Sequence, residues 1–284
     1  MTAHEDMATR RRSLAAHDRR AIGQGLLILR RVGVRVTERL DRTVGAAVSG
    51  NSAVAMLMTL RAEGPQRPAW LASVTGLTTG GLSKAVDRLA RHGFVTRGTK
   101  GTDGDGRSVR IALTDKGRRT ASIIDDVASG SLRELADELD ELVSIAGQVG
   151  VPAGRADPTA STTVLARLAR VGVQLSEALR SSPIDDHAAV LVLCVLDGDG
   201  PCRPGRLVEV LGMSSGGVTK LVDRLAARGL VERSYGTLAD RRGVVISITP
   251  AGLEELDTVL GFVVSHLQEA SSAAASLTAT DPSA

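Results

Sequence analysis

Leu77-Thr-Thr-Gly-Gly-Leu-Ser-Lys-Ala-Val-Asp-Arg-Leu-Ala90 returns in the same chain as Met213-Ser-Ser-Gly-Gly-Val-Thr-Lys-Leu-Val-Asp-Arg-Leu-Ala226. The offset of 136 holds without a gap from residue 52 to residue 98, with about 22 of 47 positions identical. Gly64-Pro65 pairs with Gly200-Pro201, and Arg67-Pro68 with Arg203-Pro204. Further back, Arg31-Val-Gly-Val34 recurs as Arg170-Val-Gly-Val173 at an offset of 139, so the first copy carries about three extra residues near Asp41 to Asn51. A period this long is a domain and not a solenoid unit. The seam is the Gly- and Pro-bearing stretch Gly150 to Pro158, which places copy one at 1–150 and copy two at 159–284.

Within a copy, the quoted stretch is the second half of a two-helix motif. Pro68 and Pro204 open a short helix at the position where proline is tolerated. Gly76 and Gly212 then supply a tight turn, and Thr78 and Ser214 are placed to cap the helix that follows. Leu71, Leu77, Leu82 and Ala85, matched by Leu207, Met213, Val218 and Leu221, give the apolar spacing of two packed helices. That is a helix-turn-helix, spanning 68–92 and 204–228. His92-Gly93 and Arg228-Gly229 stop the second helix.

Two short β-patterned runs follow in each copy. Phe94 to Arg97 returns as Val109 to Leu113, and Leu230 to Arg233 as Val244 to Ile248. A hairpin directly after a helix-turn-helix makes a winged helix, with wings over 94–113 and 230–248. Upstream, helical spacing runs through Ile22 to Leu40 and Val164 to Leu179, then Ser52 to Arg61 and Ala188 to Leu196. Downstream, copy one has a last-helix candidate at Leu135 to Val149. Copy two stops near Leu277, where that helix would begin, and so reads as truncated.

Composition narrows the function. Lys plus Arg total 35 against Asp plus Glu at 32, a net charge of +3, so any basic surface is local and no histone-like blanket of charge exists. Only Phe94, Phe262, Trp70 and Tyr235 are aromatic, too few for a binder that stacks single-stranded bases. Cys194 and Cys202 make neither a disulfide framework nor a zinc site and fit reduced thiols of a cytoplasmic protein. The five histidines have no metal-ligand spacing. No membrane partner is expected, because the longest apolar run, Ala188 to Leu196, is far below the roughly 20 residues of a span. No phosphate loop, nucleophile elbow or carboxylate pair marks an enzyme, and no cofactor is expected.

Leu113-Thr-Asp-Lys-Gly117 and Ile248-Thr-Pro-Ala-Gly252 close the wings, and Asp240-Arg241-Arg242-Gly243 sits in the second. In these motifs the chain resembles the MarR family of bacterial multiple-antibiotic-resistance regulators. The resemblance covers nearly all of both copies. It implies a mainly α fold with small β-hairpin wings, flanking helices that form a shared interface, DNA binding, transcriptional control and often a small-molecule effector. Such regulators normally carry one copy per chain and work as homodimers. A tandem chain is therefore expected to be a repressor that binds an imperfect palindrome as a single-chain pseudo-dimer, or to dimerise in turn.

The second helix of a helix-turn-helix reads base edges in the major groove. The reading residues are Thr79, Ser83, Lys84 and Arg88 in copy one, and Ser215, Thr219, Lys220 and Arg224 in copy two, with Thr78 and Ser214 at the helix N-termini facing phosphate. The resemblance assigns the positions of Ser83, Lys84 and Arg88 to such contacts. It also assigns Arg107 and Arg242 to the minor groove, braced by Asp105 and Asp240. Arg241 replaces Gly106 in the second wing, so that wing is expected to grip DNA more firmly.

Blander readings stand beside these. Asp87-Arg88 and Asp223-Arg224 also fit helix-surface ion pairs, and Arg10 to Arg12 a solvated tail. Cys194, in an apolar helix, reads as packing, while Cys202, beside Pro201, is the better redox candidate. The competing function is a winged helix turned protein–protein interaction module, which has no reason to keep a basic face twice. Any ligand pocket is expected between helical interface and winged domain, lined by Leu, Val, Ala and Met.

Overall fold

In the computed structural model the described residues are 14–98, 109–149, 164–180, 184, 186–235 and 244–278. They are mainly helical with two small antiparallel sheets. Copy one runs α1 (Ala16–Val44), α2 (Ala46–Ser49), α3 (Asn51–Glu63), α4 (Pro68–Thr75), α5 (Thr79–Arg91), β1 (Val95–Gly98), β2 (Arg110–Leu113), α6 (Asp115–Glu134) and α7 (Ala136–Gln148). Copy two runs α8 (Val164–Arg180), α9 (His187–Gly198), α10 (Pro204–Leu211), α11 (Ser215–Ala227), β3 (Val231–Tyr235), β4 (Val244–Ile248) and α12 (Pro250–Thr278). Among the described residues no helix is long and apolar enough to cross a membrane.

Each winged helix is built on one helix that is apolar around most of its circumference. Ala53 to Leu60 of α3 and Ala189 to Asp197 of α9 are buried without a break, as expected of a helix surrounded by others. Gly76 (φ 71°) and Gly212 (φ 60°) end α4 and α10 in the left-handed conformation, which glycine adopts without a side-chain clash. The wings start one residue later than the apolar pattern suggested. Phe94 and Leu230 still belong to the helix stop, donating N–H to Leu89 O (2.9 Å) and Leu225 O (3.0 Å) across Gly93 and Gly229. Pairing then begins at Val95↔Leu113 and at Val231↔Ile248.

Two features of the wings carry no sequence pattern. Gln66 and Cys202 each add a one-residue third strand. Gln66 exchanges two backbone hydrogen bonds with Ile111 (3.0 and 2.8 Å), and Cys202 does the same with Ile246 (3.0 and 2.8 Å). Cys202 is thus held in the sheet backbone with its thiol half-buried.

The compact units cut across the repeat. Among the described residues, one gathers the second winged helix with residues 14–27 and 145–149; the other gathers the first with residues 164–175 and 266–278. The first half of α1 therefore packs with copy two. Arg19 donates to Asp197 Oδ1 (2.9 Å) and Oδ2 (3.1 Å) and to Asp257 Oδ1 (3.2 Å), and Arg20 Nε donates to Asp197 O (3.1 Å). Gly23 lies against Cys194, where an added Cβ would sit 3.3 Å from Sγ. In the other unit α8 packs with copy one. Gly172 leaves room for Asn51, Gln174 closes on Gly76, and Arg170 Nη1 donates to Val74 O (3.4 Å). There α1 also runs along α6 and α7 through Arg31–Glu141, Arg35–Glu138 and Arg39–Glu134 at 3.9, 3.0 and 2.6 Å. These pairs are largely exposed and each contributes little.

In copy two, α12 continues unbroken to Thr278, whereas copy one breaks at Leu135 (φ −109°, ψ 23°) between α6 and α7. The Ser- and Ala-rich run Ser271 to Ser276 extends the helix on propensity.

Cys194 is fully buried, and burial pushes its thiol up to about 12. At pH 8 its thiolate fraction is then on the order of 10⁻⁴. Burial also raises the Cys202 thiol. A thiol-reactive dye at pH 8 is expected to label at most one cysteine per folded chain, slowly, and both after denaturation. Two rapidly reacting thiols in the folded chain would contradict the packing of Cys194 against α1.

Candidate nucleic-acid interface

Helices α5 and α11 each present one apolar and one polar face. Leu82, Ala85, Val86 and Leu89 are buried in α5, as are Val218, Leu221, Val222 and Leu225 in α11. The polar faces point to solvent, with Thr79, Ser83, Lys84, Ser215, Thr219, Lys220 and Arg224 exposed and Arg88 half-buried. The N-terminal ends are closed by hydroxyls. Gly81 N–H donates to Thr78 Oγ1 (3.0 Å) and Gly217 N–H to Ser214 Oγ (3.2 Å), satisfying one of the free donors of each first turn. Neither cap hydroxyl is buried, so each is free to donate in turn to an acceptor brought to the helix end.

Asp87 and Asp223 do not pair with the arginines that follow them. Adjacent residues on a helix face different directions. Asp87 instead accepts from Arg97 Nη2 (2.6 Å) on β1, and Asp223 from Arg233 Nη2 on β3 (2.6 Å). This brace between the second helix of the helix-turn-helix and the wing is the same in the two copies. It neutralises the one acid on each polar face, leaving the next arginine to other partners.

Those partners differ. Arg88 has no carboxylate partner among the described residues, and its Nε is shielded from water without an acceptor. Arg224 is engaged by Asp186 Oδ2. Asp186 is the N-cap of α9, where its Oδ1 also accepts from Ala188 N–H (2.9 Å). The position equivalent to Asp186 in copy one is Gly50, which caps α3 with no side chain. Farther along, Arg91 donates to Asp87 O (3.4 Å) and has no carboxylate partner among the described residues, while Arg228 pairs with Glu255 (3.5 Å). The cationic residues of α5 are therefore less compensated than those of α11. Thr219 also differs from Ser83, because its hydroxyl donates to Ser215 O (2.9 Å) within the helix.

The closing motif of each wing fixes the hairpin to the next helix. Thr114 Oγ1 accepts from Gly117 N–H (3.0 Å) and donates to Gly93 O (2.6 Å); Thr249 does the same with Gly252 (3.0 Å) and Gly229 (2.6 Å). Lys116 Nζ donates to His92 O (2.9 Å), 4.4 Å from the centroid of the Phe94 ring. Arg107, Arg241 and Arg242, with Asp105, Gly106 and Asp240, lie outside the described residues.

Sequence reasoning placed the caps and polar faces but missed Arg97, Arg233, Asp186 and Lys116. The contrast between Gly50 and Asp186 at matching positions of the repeat was the one signal available for Asp186. One cleft, of about 380 Å³, is lined by Arg35, Glu38, Arg39, Arg42, Glu134 and their neighbours, and another, of about 220 Å³, by Pro204, Val218, Val222, Val244, Ile246 and their neighbours.

Comparison with known proteins bears on both copies. The MarR family model matches residues 48–108 and 184–243. The multiple antibiotic resistance protein MarR of Salmonella typhimurium is 38% identical over 72 residues, which is 25% of this chain and 49% of that protein. Proteins of the same name from Salmonella typhi and Escherichia coli (strain K12) align with the same identity and coverage. The chain thus spans about half the length of the curated relatives it matches.

Proposed function

We propose that the chain, whose residues 48–108 and 184–243 match the MarR family model, is a double-stranded-DNA-binding transcriptional repressor that holds an imperfect palindrome as a single-chain pseudo-dimer. The observation that carries the reading is the repeated pair Lys84 and Lys220. Each is exposed at the same turn of a hydroxyl-capped helix, among residues whose one acid is already engaged by the wing. A cation with no acidic partner among the described residues, repeated at the same place in both copies, suits phosphate and guanine. Thr78, Thr79 and Ser83 in α5, and Ser214, Ser215 and Thr219 in α11, supply neutral contacts beside it. Arg107, Arg241 and Arg242 extend the contact into the minor groove.

The pseudo-dimer is supported by the exchange of leading helices. Copies 1–150 and 159–284 each lend helical residues to the compact unit of the other. Two reading helices so alike call for half-sites about one helical turn apart. A small-molecule effector enters this reading through the family resemblance alone.

A duplex selected from a random pool tests the reading. Lys84→Ala and Lys220→Ala are each expected to weaken binding about 10-fold and to reduce the salt slope by about one. Failure to retain any duplex at low salt would overturn the reading in favour of a protein-interaction module.

A further inference from the structure

We infer that Asp186 makes the two reading helices unequal, by engaging Arg224 and withdrawing one cation from the second, so that the chain binds an asymmetric operator in a single orientation in which α5 makes the stronger major-groove contact, independently of the firmer grip expected of the second wing. The inference rests on the DNA-binding reading above and adds a specificity-determining residue to it. Three observations converge. Asp186 divides its carboxylate between the first turn of α9 and the guanidinium of Arg224. Arg224 is 65% exposed, on the polar face of α11, so a phosphate can reach it only in competition with Asp186. The equivalent Arg88 has Gly50 in place of that carboxylate, and its Nε is buried with no acceptor among the described residues.

A bound duplex therefore meets different surfaces at its two half-sites. At α5 it meets Lys84, Arg88 and Arg91, none with a carboxylate partner among the described residues. At α11 it meets Lys220, with Arg224 held by Asp186 and Arg228 by Glu255. Each phosphate neutralised by a protein cation releases counterions and contributes about 0.9 to the slope of log affinity against log salt. Withholding one cation at one head costs that head one such contact and leaves the other intact.

The repeat makes the experiment reciprocal. Asp186→Asn keeps an N-cap side chain and removes the charge. Gly50→Asp transplants the carboxylate into copy one. Gly50 has φ −71° and no atom within 4 Å of an added Cβ, so the position accepts a side chain. Gly50→Asn controls for capping alone. On the selected operator at about 0.1 M salt, Asp186→Asn is expected to tighten binding about 5- to 10-fold and to steepen the salt slope by about 0.9. Gly50→Asp is expected to weaken it by a similar factor, and Gly50→Asn to leave the slope unchanged. Symmetrised duplexes, each carrying one half-site twice, should be distinguished by the wild-type chain and less so by Asp186→Asn. Specific binding with the same slope and half-site preference in all four proteins would overturn the inference alone. No specific binding in any of them would overturn the DNA-binding reading and this inference with it.

Discussion

Arg19→Ala is expected to destabilise the compact unit that holds the second winged helix by about 3–5 kcal/mol, the usual cost of removing one partner from a buried ion pair. The Arg19 side chain is 12% exposed and Asp197 5%, so substitution strands a carboxylate out of water. Asp257, at 19%, loses this contact as well. Arg19→Lys should recover only part of the loss, because an ammonium cannot match the two-pronged contact with Asp197. The position of the effect is diagnostic. Arg19 lies in the first turn of α1, yet its partners lie in α9 and α12 of copy two. Trp70, the only tryptophan, lies in the other unit. Helical circular dichroism should therefore fall early in denaturant while Trp70 fluorescence holds. Unchanged stability, or loss of the Trp70 signal first, would contradict the exchange of leading helices.

Gly117→Ala and Gly252→Ala are expected to cost at least the upper part of the about 1–3 kcal/mol typical of overpacking. A Cβ at Gly117 would sit 2.0 Å from Phe94 O, and one at Gly252 2.1 Å from Leu230 O. Both obstacles are backbone, so no side chain can swing aside. The helix must back away from the wing, breaking the bonds Thr114 and Thr249 make to Gly93 and Gly229. Gly130→Ala, within α6 and with open space at its Cβ, is the matched control and should stabilise by roughly 0.5–1 kcal/mol. Thermal melts of the three variants check this. Equal tolerance of alanine at all three glycines would show that the closing motif is not under steric constraint.

Much of this was legible in the sequence because the repeat supplied an internal second reading. Turn glycines, cap hydroxyls and apolar spacing recur at one offset, and local chemistry fixes all three. Gly76 and Gly212 had to be left-handed, and Thr78 and Ser214 had to cap, whatever lay beyond. Contacts between distant segments were not legible. Nothing in the order of residues says that Asp87 meets Arg97 rather than Arg88, or that Arg19 crosses to Asp197. The one-residue strands at Gln66 and Cys202 are too short to leave a pattern. The continuous α12 was obscured by a tail of small residues that reads equally well as helix or loop.

The mass in solution of the complex between the chain and its selected duplex tests most directly whether one chain supplies both reading heads. One chain per duplex is expected, with Lys84→Ala and Lys220→Ala each weakening that same complex. Two chains per duplex, with a longer or doubled site, would contradict the single-chain pseudo-dimer and mean that the fused protein still dimerises.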